Sequence, residues 1–263
     1  MKKYLFIYKT TVIDSLQYAW NLFFGFITYS LLMFIFLNLW QYIYSEPGQL
    51  IHGYSMEQMV WYVIFTEIMW FGNNNQTLKG QISEDIRSGA IAYGLNKPYN
   101  YLDFMIVKHF GEMTIKFFFY LGIGVAFGQI FVGKLVSFQV IYLPFIVITV
   151  LLGMLINSLI RIMISVFSFW IEDSFPFHWL YDKAILVVGT LFPIEMFPVW
   201  LQPIIRQTPI FVITYGPVKL IIDFTMELFL KVLFAQVIYV VVSIILISLI
   251  FKKGVRKLNV NGG

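Results

Sequence analysis

Apolar residues run almost without a break through six stretches of the chain, 22–44, 57–73, 112–133, 138–171, 181–199 and 227–251. A crossing needs about 20 mostly apolar residues to traverse a hydrocarbon core of about 30 Å, so the pattern predicts six transmembrane helices. Two of them depart from the norm. The second, EQMVWYVIFTEIMWFGN, is short and carries Glu67. The fourth stays apolar from Phe138 to Ile171, about 50 Å of helix, and has to tilt, break or protrude.

Between these stretches the pattern changes period. Ahead of the first, Leu5, Ile7, Val12, Ile13, Leu16 and Trp20 alternate with Lys9, Asp14 and Gln17, as in an amphipathic helix lying in the membrane interface or a cytoplasmic extension of the first span. Between the second and third, ISEDIRSGAIAYGLNKP at 82–98 is polar and punctuated by glycine. Ser83 before Glu84 and Asp85 reads as a helix start, with the hydroxyl as cap and the acids at the positive dipole end. Ile82, Ile86, Ala90 and Tyr93 would then share a face. Gly89 or Gly94 can end the helix, and Pro98 ends it by position 97. So short a helix, in one or two pieces, is marginal alone and has to pack on something. The candidates are lipid, the protein's own helix ends or a cytosolic subunit; two acids beside one Arg disfavour anionic lipid and favour a protein partner.

Before the last span, Pro193, Pro198, Pro203, Pro209 and Pro217 interrupt an apolar region. Proline removes a backbone donor and breaks helix interiors, so continuous spanning is excluded there. Broken backbone at membrane depth survives where protein or a watery cavity satisfies it, which predicts short re-entrant or interfacial helices, or an ordinary loop with interfacial Trp200 and Phe211.

Composition strengthens the membrane reading. Of 263 residues, 59% are hydrophobic and only 12% charged, whereas about a quarter are charged in a soluble domain. Mean hydropathy is +0.79. One polytopic domain, 1–263, is expected, with no cleaved leader because Lys9 and Asp14 interrupt the first apolar residues. Cysteine is absent, which excludes disulfides and thiolate chemistry. The net charge of +4 comes without a basic patch interleaved with aromatics, so no nucleic acid is expected. The excess sits at one side instead: Lys2, Lys3, Lys9, Lys79, Arg87, Lys97, Lys108, Lys183, Lys252, Lys253, Arg256 and Lys257, against Lys134, Arg206, Lys219 and Lys231 opposite. By the positive-inside rule both termini and the 74–111 segment are cytoplasmic.

Polar groups within the spans are candidate pathway or interface residues. Gly153, Asn157, Arg161 and Ser165 recur every fourth residue, a polar stripe along the fourth segment. Arg161 either meets a partner helix or the pathway, or extends to the headgroups. Glu67 either pairs with a Lys, bonds across a subunit interface or contacts substrate. The runs Phe117 to Tyr120 and Phe34 to Phe36 read as packing and lipid-facing groups. Enzyme chemistry has little footing. His52, His109 and His178 are scattered, and neither H-E-x-x-H nor G-x-S-x-G occurs. A phosphate-cradling G-x-x-x-x-G-K-[ST] loop is also missing, since Gly133-Lys134 is followed by Leu135. ATP-driven work would have to borrow its engine. A stand-alone ion-coupled carrier or channel worked by Glu67 and Arg161, or a membrane scaffold, are the rival classes.

The pattern Gly80, Ile82, Asp85, Ile86, Arg87, Ser88-Gly89, Leu95, Lys97-Pro98 resembles the cytoplasmic segment between the second and third spans in membrane subunits of bacterial type-2 ABC exporters, especially the six-span permeases. The segment GTLFPIEMFPVWLQPIIRQTPIFVITYGPVKLII is similar to that family's outer re-entrant region. With the six-span layout, the likeness covers most of the chain. It implies an all-α permease that works in pairs, with an identical or homologous second permease, in the lipid of the bacterial cytoplasmic membrane. It further implies an ATP-binding cassette subunit that carries ATP and Mg, no cofactor on this chain, and export of an amphipathic or lipid-like substrate. Ile82, Asp85, Ile86, Arg87, Gly89, Leu95 and Pro98 would form the coupling helix held by that subunit, and Gly189, Pro193 and Pro198 an outer re-entrant gate.

Overall fold

The computed structural model describes residues 2–17, 19–44, 46, 48–73, 77–135, 138–171 and 173–261, with the side chains among them except those at 19, 21, 77 and 258–261. Residues 74–76, part of the expected cytoplasmic segment, lie outside this set. The described residues are helical throughout apart from turns and one isolated bridge between Ile51 and Tyr54. Eleven α-helices follow one another: α1 Lys2–Leu16, α2 Ala19–Ile43, α3 Met56–Asn73, α4 Ile82–Arg87, α5 Ile91–Leu95, α6 Tyr101–Phe131, α7 Leu143–Val166, α8 Phe175–Ile185, α9 Gln202–Arg206, α10 Gly216–Ile222 and α11 Met226–Asn261. Single π-turns lead into α4 (Thr77–Gln81) and α10 (Phe211–Tyr215) and extend α8 (Leu186–Thr190).

Among the described residues four segments are long and apolar enough to cross a membrane: Leu22–Ile43, Tyr101–Phe131, Val140–Phe169 and Met226–Lys257. Their outer faces carry unpartnered apolar groups such as Phe24, Phe34, Phe234 and Leu249, each more than half exposed, as a surface solvated by lipid requires. The chain is an all-α polytopic membrane protein. α3 differs from the four in kind: twelve of its residues are buried, among them Tyr62, Ile64 and Glu67, and it packs against α2, α6 and α10 at the centre of the bundle. α7 lies along α11, and the 211–222 segment fills the space between α3, α7 and α11.

Prolines mark where helices start. Pro144, Pro176 and Pro203 sit in the first turns of α7, α8 and α9, where the fixed φ suits the helix; Pro217 starts α10 directly after the Phe211–Tyr215 π-turn, and its missing N–H leaves a carbonyl of that turn to another donor. Asn100 caps α6, its side-chain oxygen accepting from the backbone N–H of Leu102 at 2.9 Å and Asp103 at 3.2 Å. Gly133, at φ +98°, closes the other end by donating its N–H to the Gly128 carbonyl.

The boundaries differ from those expected in four places. The third helix begins at Tyr101 rather than 112, because its polar first turns are covered by α1: the Tyr4 hydroxyl donates to Asp103 at 3.4 Å and Thr11 packs against Gly111. The fourth segment is α-helical only over 143–166, with 3₁₀ turns at Val140–Tyr142 and Phe167–Phe169. The fifth occupies 175–190 rather than 181–199, since Pro193 takes an extended conformation and the chain beyond it turns. The last helix continues to Asn261 instead of ending at 251.

α1 packs along α6 through Tyr4, Tyr8 and Thr11, leaving Leu5, Phe6, Ile13 and Leu16 outward. Both terminal helices reach the same end of the bundle. Lys3 Nζ donates to the Pro98 carbonyl at 2.6 Å, Lys257 Nζ to the Phe169 carbonyl at 3.1 Å, and Phe251 stacks on Tyr101. This is called the near end below; it also carries α4 and α5. The opposite, far end carries the short helices of 194–206.

Candidate functional site

The 82–98 segment forms an elbow at the near end. Gly89, at φ +76°, breaks it into α4 and α5, and the second piece stops at Leu95 before Pro98. Ser83 does not cap a helix as expected. The Thr77–Gln81 turn already supplies helical backbone, so Gln81 precedes α4 in an α conformation and the Ser83 hydroxyl is left to bond Ser174 at 2.5 Å. The shared face also differs. Ile82 and Ile86 are buried, but the break at Gly89 rotates α5, so Ile91 takes the inner position while Ala90 and Tyr93 are exposed. The three isoleucines join Leu78, Met105, Leu159, Ile162 and Val166 in a second apolar core beneath the start of α6 and the end of α7.

The expected coupling residues therefore fall into two sets. Ile82 and Ile86 fasten the elbow to the bundle, and Asp85 belongs with them, accepting from the Tyr101 hydroxyl at 2.6 Å. Arg87, Gly89, Leu95 and Pro98 are on the surface, with Arg87 paired to Glu84 at 3.1 Å. Tyr93, expected on the inner face with Ile82 and Ile86, is instead 78% exposed and is the most prominent apolar group of the elbow.

Behind the elbow lies a buried charged hub. Asp182 of α8 binds Lys79 Nζ through Oδ2 at 2.6 Å and stands 2.9 Å from an Arg161 Nη through Oδ1. Arg161 is 1% exposed, its guanidinium lies over the Tyr181 ring, and its Nε and other Nη have no hydrogen-bond partner among the described residues. This Arg is therefore turned inward and does not extend to the headgroups. Burial, and then the Arg161 charge, push the Lys79 ammonium below its ordinary range, with Asp182 opposing the shift. Asn157 accepts from Tyr181 at 2.9 Å, and the Ser165 hydroxyl lies 2.5 Å from the Leu78 carbonyl and 2.8 Å from His178 Nε2. The polar stripe of α7 thus holds α8 and the elbow together. Gly153, its fourth member, lets the carbonyls of Val212 and Ile213 approach the helix.

Glu67 is 2% exposed and has no ion pair or hydrogen bond among the described residues. It is on the α3 face shared with Phe71, whose ring packs on Tyr29. It does not join Asn157 and Arg161.

At the far end the expected gate residues lie along one broken stretch. The Gly189 carbonyl accepts from Tyr62 at 3.0 Å. Pro193 is extended, and the Pro198 carbonyl accepts from Leu201. Sequence reasoning missed the group that fastens this stretch, Glu195. It accepts from Tyr54 at 3.0 Å and from Tyr215, and meets Arg206 at 3.4 Å. Burial, with Tyr215 and Glu195 nearby, holds the Tyr54 phenol well above its ordinary pKa, so it stays a donor. Deeper in, Gln236 of α11 donates to the carbonyls of Thr149 and Val212 at 2.7 and 2.9 Å, satisfying backbone freed by the π-turn.

No curated protein matches the chain in a sequence search. The family model for the ABC-2 family transporter protein matches residues 10–262, nearly the whole chain. A polytopic all-α body agrees with that match. The chain belongs to the ABC-2 transporter family, as a membrane permease component of an ABC-2 type transporter.

Proposed function

We propose that this permease is the pathway-forming subunit of an ATP-driven exporter, and that a separate ATP-binding subunit, carrying ATP and Mg, holds the α4–α5 elbow. The near end then faces the cytoplasm of a bacterial inner membrane, as its lysines and arginines require under the positive-inside rule. The chain crosses six times, α3 and the 175–190 helix being the two shorter crossings. A second permease, identical or homologous, completes the pathway, and an amphipathic or lipid-like molecule is the cargo.

One observation carries this assignment. The elbow presents Tyr93, Arg87 and Leu95 outward, while Ser83 bonds Ser174 at the start of α8 and the Thr77–Gln81 turn leading into the elbow is tied to α7 and α8 through Leu78–Ser165 and Lys79–Asp182–Arg161. A push on the exposed side therefore moves two long elements together, because buried ion pairs and apolar contacts resist local give. From α8 the strain runs along one continuous helix to Thr190, and from there to the Glu195 fastening. ATP-driven closure of the partner would thereby reach the far end and release cargo there.

The test is ATP hydrolysis by the partner reconstituted with this permease in liposomes. Stimulation by the permease should be lost in Tyr93→Ala with the unfolding temperature unchanged. Full stimulation in that variant would remove the assignment.

A further inference from the structure

α6 packs along α3 and α7 packs along α11, but α6 and α7 have no extensive contact with each other among the described residues. The seam between them is an open groove floored by α3, with a volume of about 840 Å³. Along α6 it extends from Phe110 to Gln129, about 28 Å, close to the hydrocarbon thickness of a bilayer. Its middle is apolar on every wall, with Phe65 on the floor, Phe117 and Leu121 on one side and Val147 and Leu151 on the other. Among the described residues its polar groups are at its ends. Tyr8 and Thr114 satisfy each other at the near end, and Gln129 and Lys134 stand at the far end. Lys134 is exposed and forms no ion pair among the described residues.

Such a space cannot stay empty in a membrane, since a dry void forfeits contacts along all its walls, and water inside it would find no partners. The volume lies in the range of pockets that enclose single small ligands, about 300–1,000 Å³. The unpaired ammonium at the mouth selects an anionic head.

From this geometry we infer that the α6–α7 groove is a resident site for an anionic phospholipid, its acyl chain lying against Phe117, Leu121, Val147 and Leu151 and its phosphate on Lys134. The lipid fills the seam and supports the bundle, and it is distinct from the cargo. This inference is independent of the direction of transport and of the identity of the ATP-binding partner.

Native mass spectrometry of the full-length protein released from phosphatidylcholine nanodiscs, with and without phosphatidylglycerol, tests it. The wild type should retain phosphatidylglycerol in preference to phosphatidylcholine. Lys134→Gln should weaken phosphatidylglycerol retention about fivefold, as expected for one cation near a phosphate, and leave phosphatidylcholine unchanged. Val147→Trp, which fills the groove from an exposed position, should abolish retention of both; Leu151→Trp serves if that protein does not fold. Phosphatidylglycerol should raise the unfolding temperature of the wild type but not of the filled variant. Equal retention by wild type, Lys134→Gln and the filled variant would overturn the site. A filled variant that loses dimerisation instead of lipid would put a second copy in the groove, and ATP-dependent movement of phosphatidylglycerol between leaflets would make it cargo; either result overturns the proposal.

Discussion

Asp182 and Arg161 stand 2.9 Å apart inside the near end of the bundle, about equally far along the chain from the turn at Trp170 and Ile171 that joins their helices. Ser165 and His178 obey the same rule at 2.8 Å. Two antiparallel helices joined by a short turn pair residues at equal distances from it, and the polar stripe of α7 finds its partners on α8 in that way.

Removing Asp182 would take away the carboxylate that Arg161 and Lys79 share. Breaking one side of a buried ion pair costs about 3–5 kcal/mol, so Asp182→Ala is expected to unfold well below the wild type in thermal denaturation. Adding Arg161→Met should recover part of the loss, since the buried guanidinium that loses Asp182 is then gone. No recovery in the double variant would show that the hub is held by something other than charge.

The two sides of the elbow should respond differently. Ile86 is 5% exposed within the second core, and truncating such a side chain costs about 2–5 kcal/mol. Ile86→Ala therefore lowers the unfolding temperature, whereas Tyr93→Ala, at an exposed position, changes stability by no more than about 0.5 kcal/mol. Thermal unfolding of both purified variants checks the split. Equal losses would mean that Tyr93 packs on the bundle.

Close approach of α7 to the 211–215 turn depends on a missing side chain. A Cβ at Gly153 would lie 2.9 Å from the Ile213 carbonyl oxygen and 3.2 Å from that of Val212, and backbone cannot give way as a side-chain tip does. Gly153→Ala is expected to cost about 1–3 kcal/mol. Gly122, on α6, has open space where its Cβ would go, so Gly122→Ala should be neutral or gain up to about 1 kcal/mol of helix propensity. Unfolding temperatures that fall equally in both would contradict the packing described.

At the far end, Glu195 gathers Tyr54, Tyr215 and Arg206. Hydrogen bonds to a charged group contribute about 1.5–3 kcal/mol each, so Glu195→Ala should raise amide exchange across 194–206 by about tenfold or more. Exchange at 82–95, at the other end, should stay as in the wild type. A uniform rise along the chain would point to global loosening instead.

Much of this architecture was legible in the chain because length and apolarity are what a bilayer selects. The run at 22–44 matches its helix to within a few residues and that at 227–251 its helix start, and of the two glycines expected to end the first piece of 82–98 it is Gly89 that breaks it, before Pro98. Hydropathy was a poor guide where protein rather than lipid surrounds the helix. It drew the fifth helix across Pro193, and it could not see that the polar turns of 101–111 are helical against α1. Ser83 looked like a cap because capping chemistry is local, but its hydroxyl is spent on Ser174 far along the chain. Asp182 was overlooked beside Lys183, where a lone acid reads as a loop charge; its equal distance from the turn to Arg161 was the available signal. Glu195 carried no periodic signal, and the helical spacing of Tyr93 from Ile82 and Ile86 put it on the inner face, because that spacing takes no account of the turn at Gly89.

Photo-crosslinking in living cells tests the grip of an ATP-binding subunit on the elbow most directly. A benzophenone amino acid would be placed at Tyr93, exposed on the elbow, and separately at Val199, 82% exposed at the far end. An adduct containing a P-loop ATPase is predicted from position 93 and none from 199. No ATPase adduct at 93, or one formed at 199, would contradict the account.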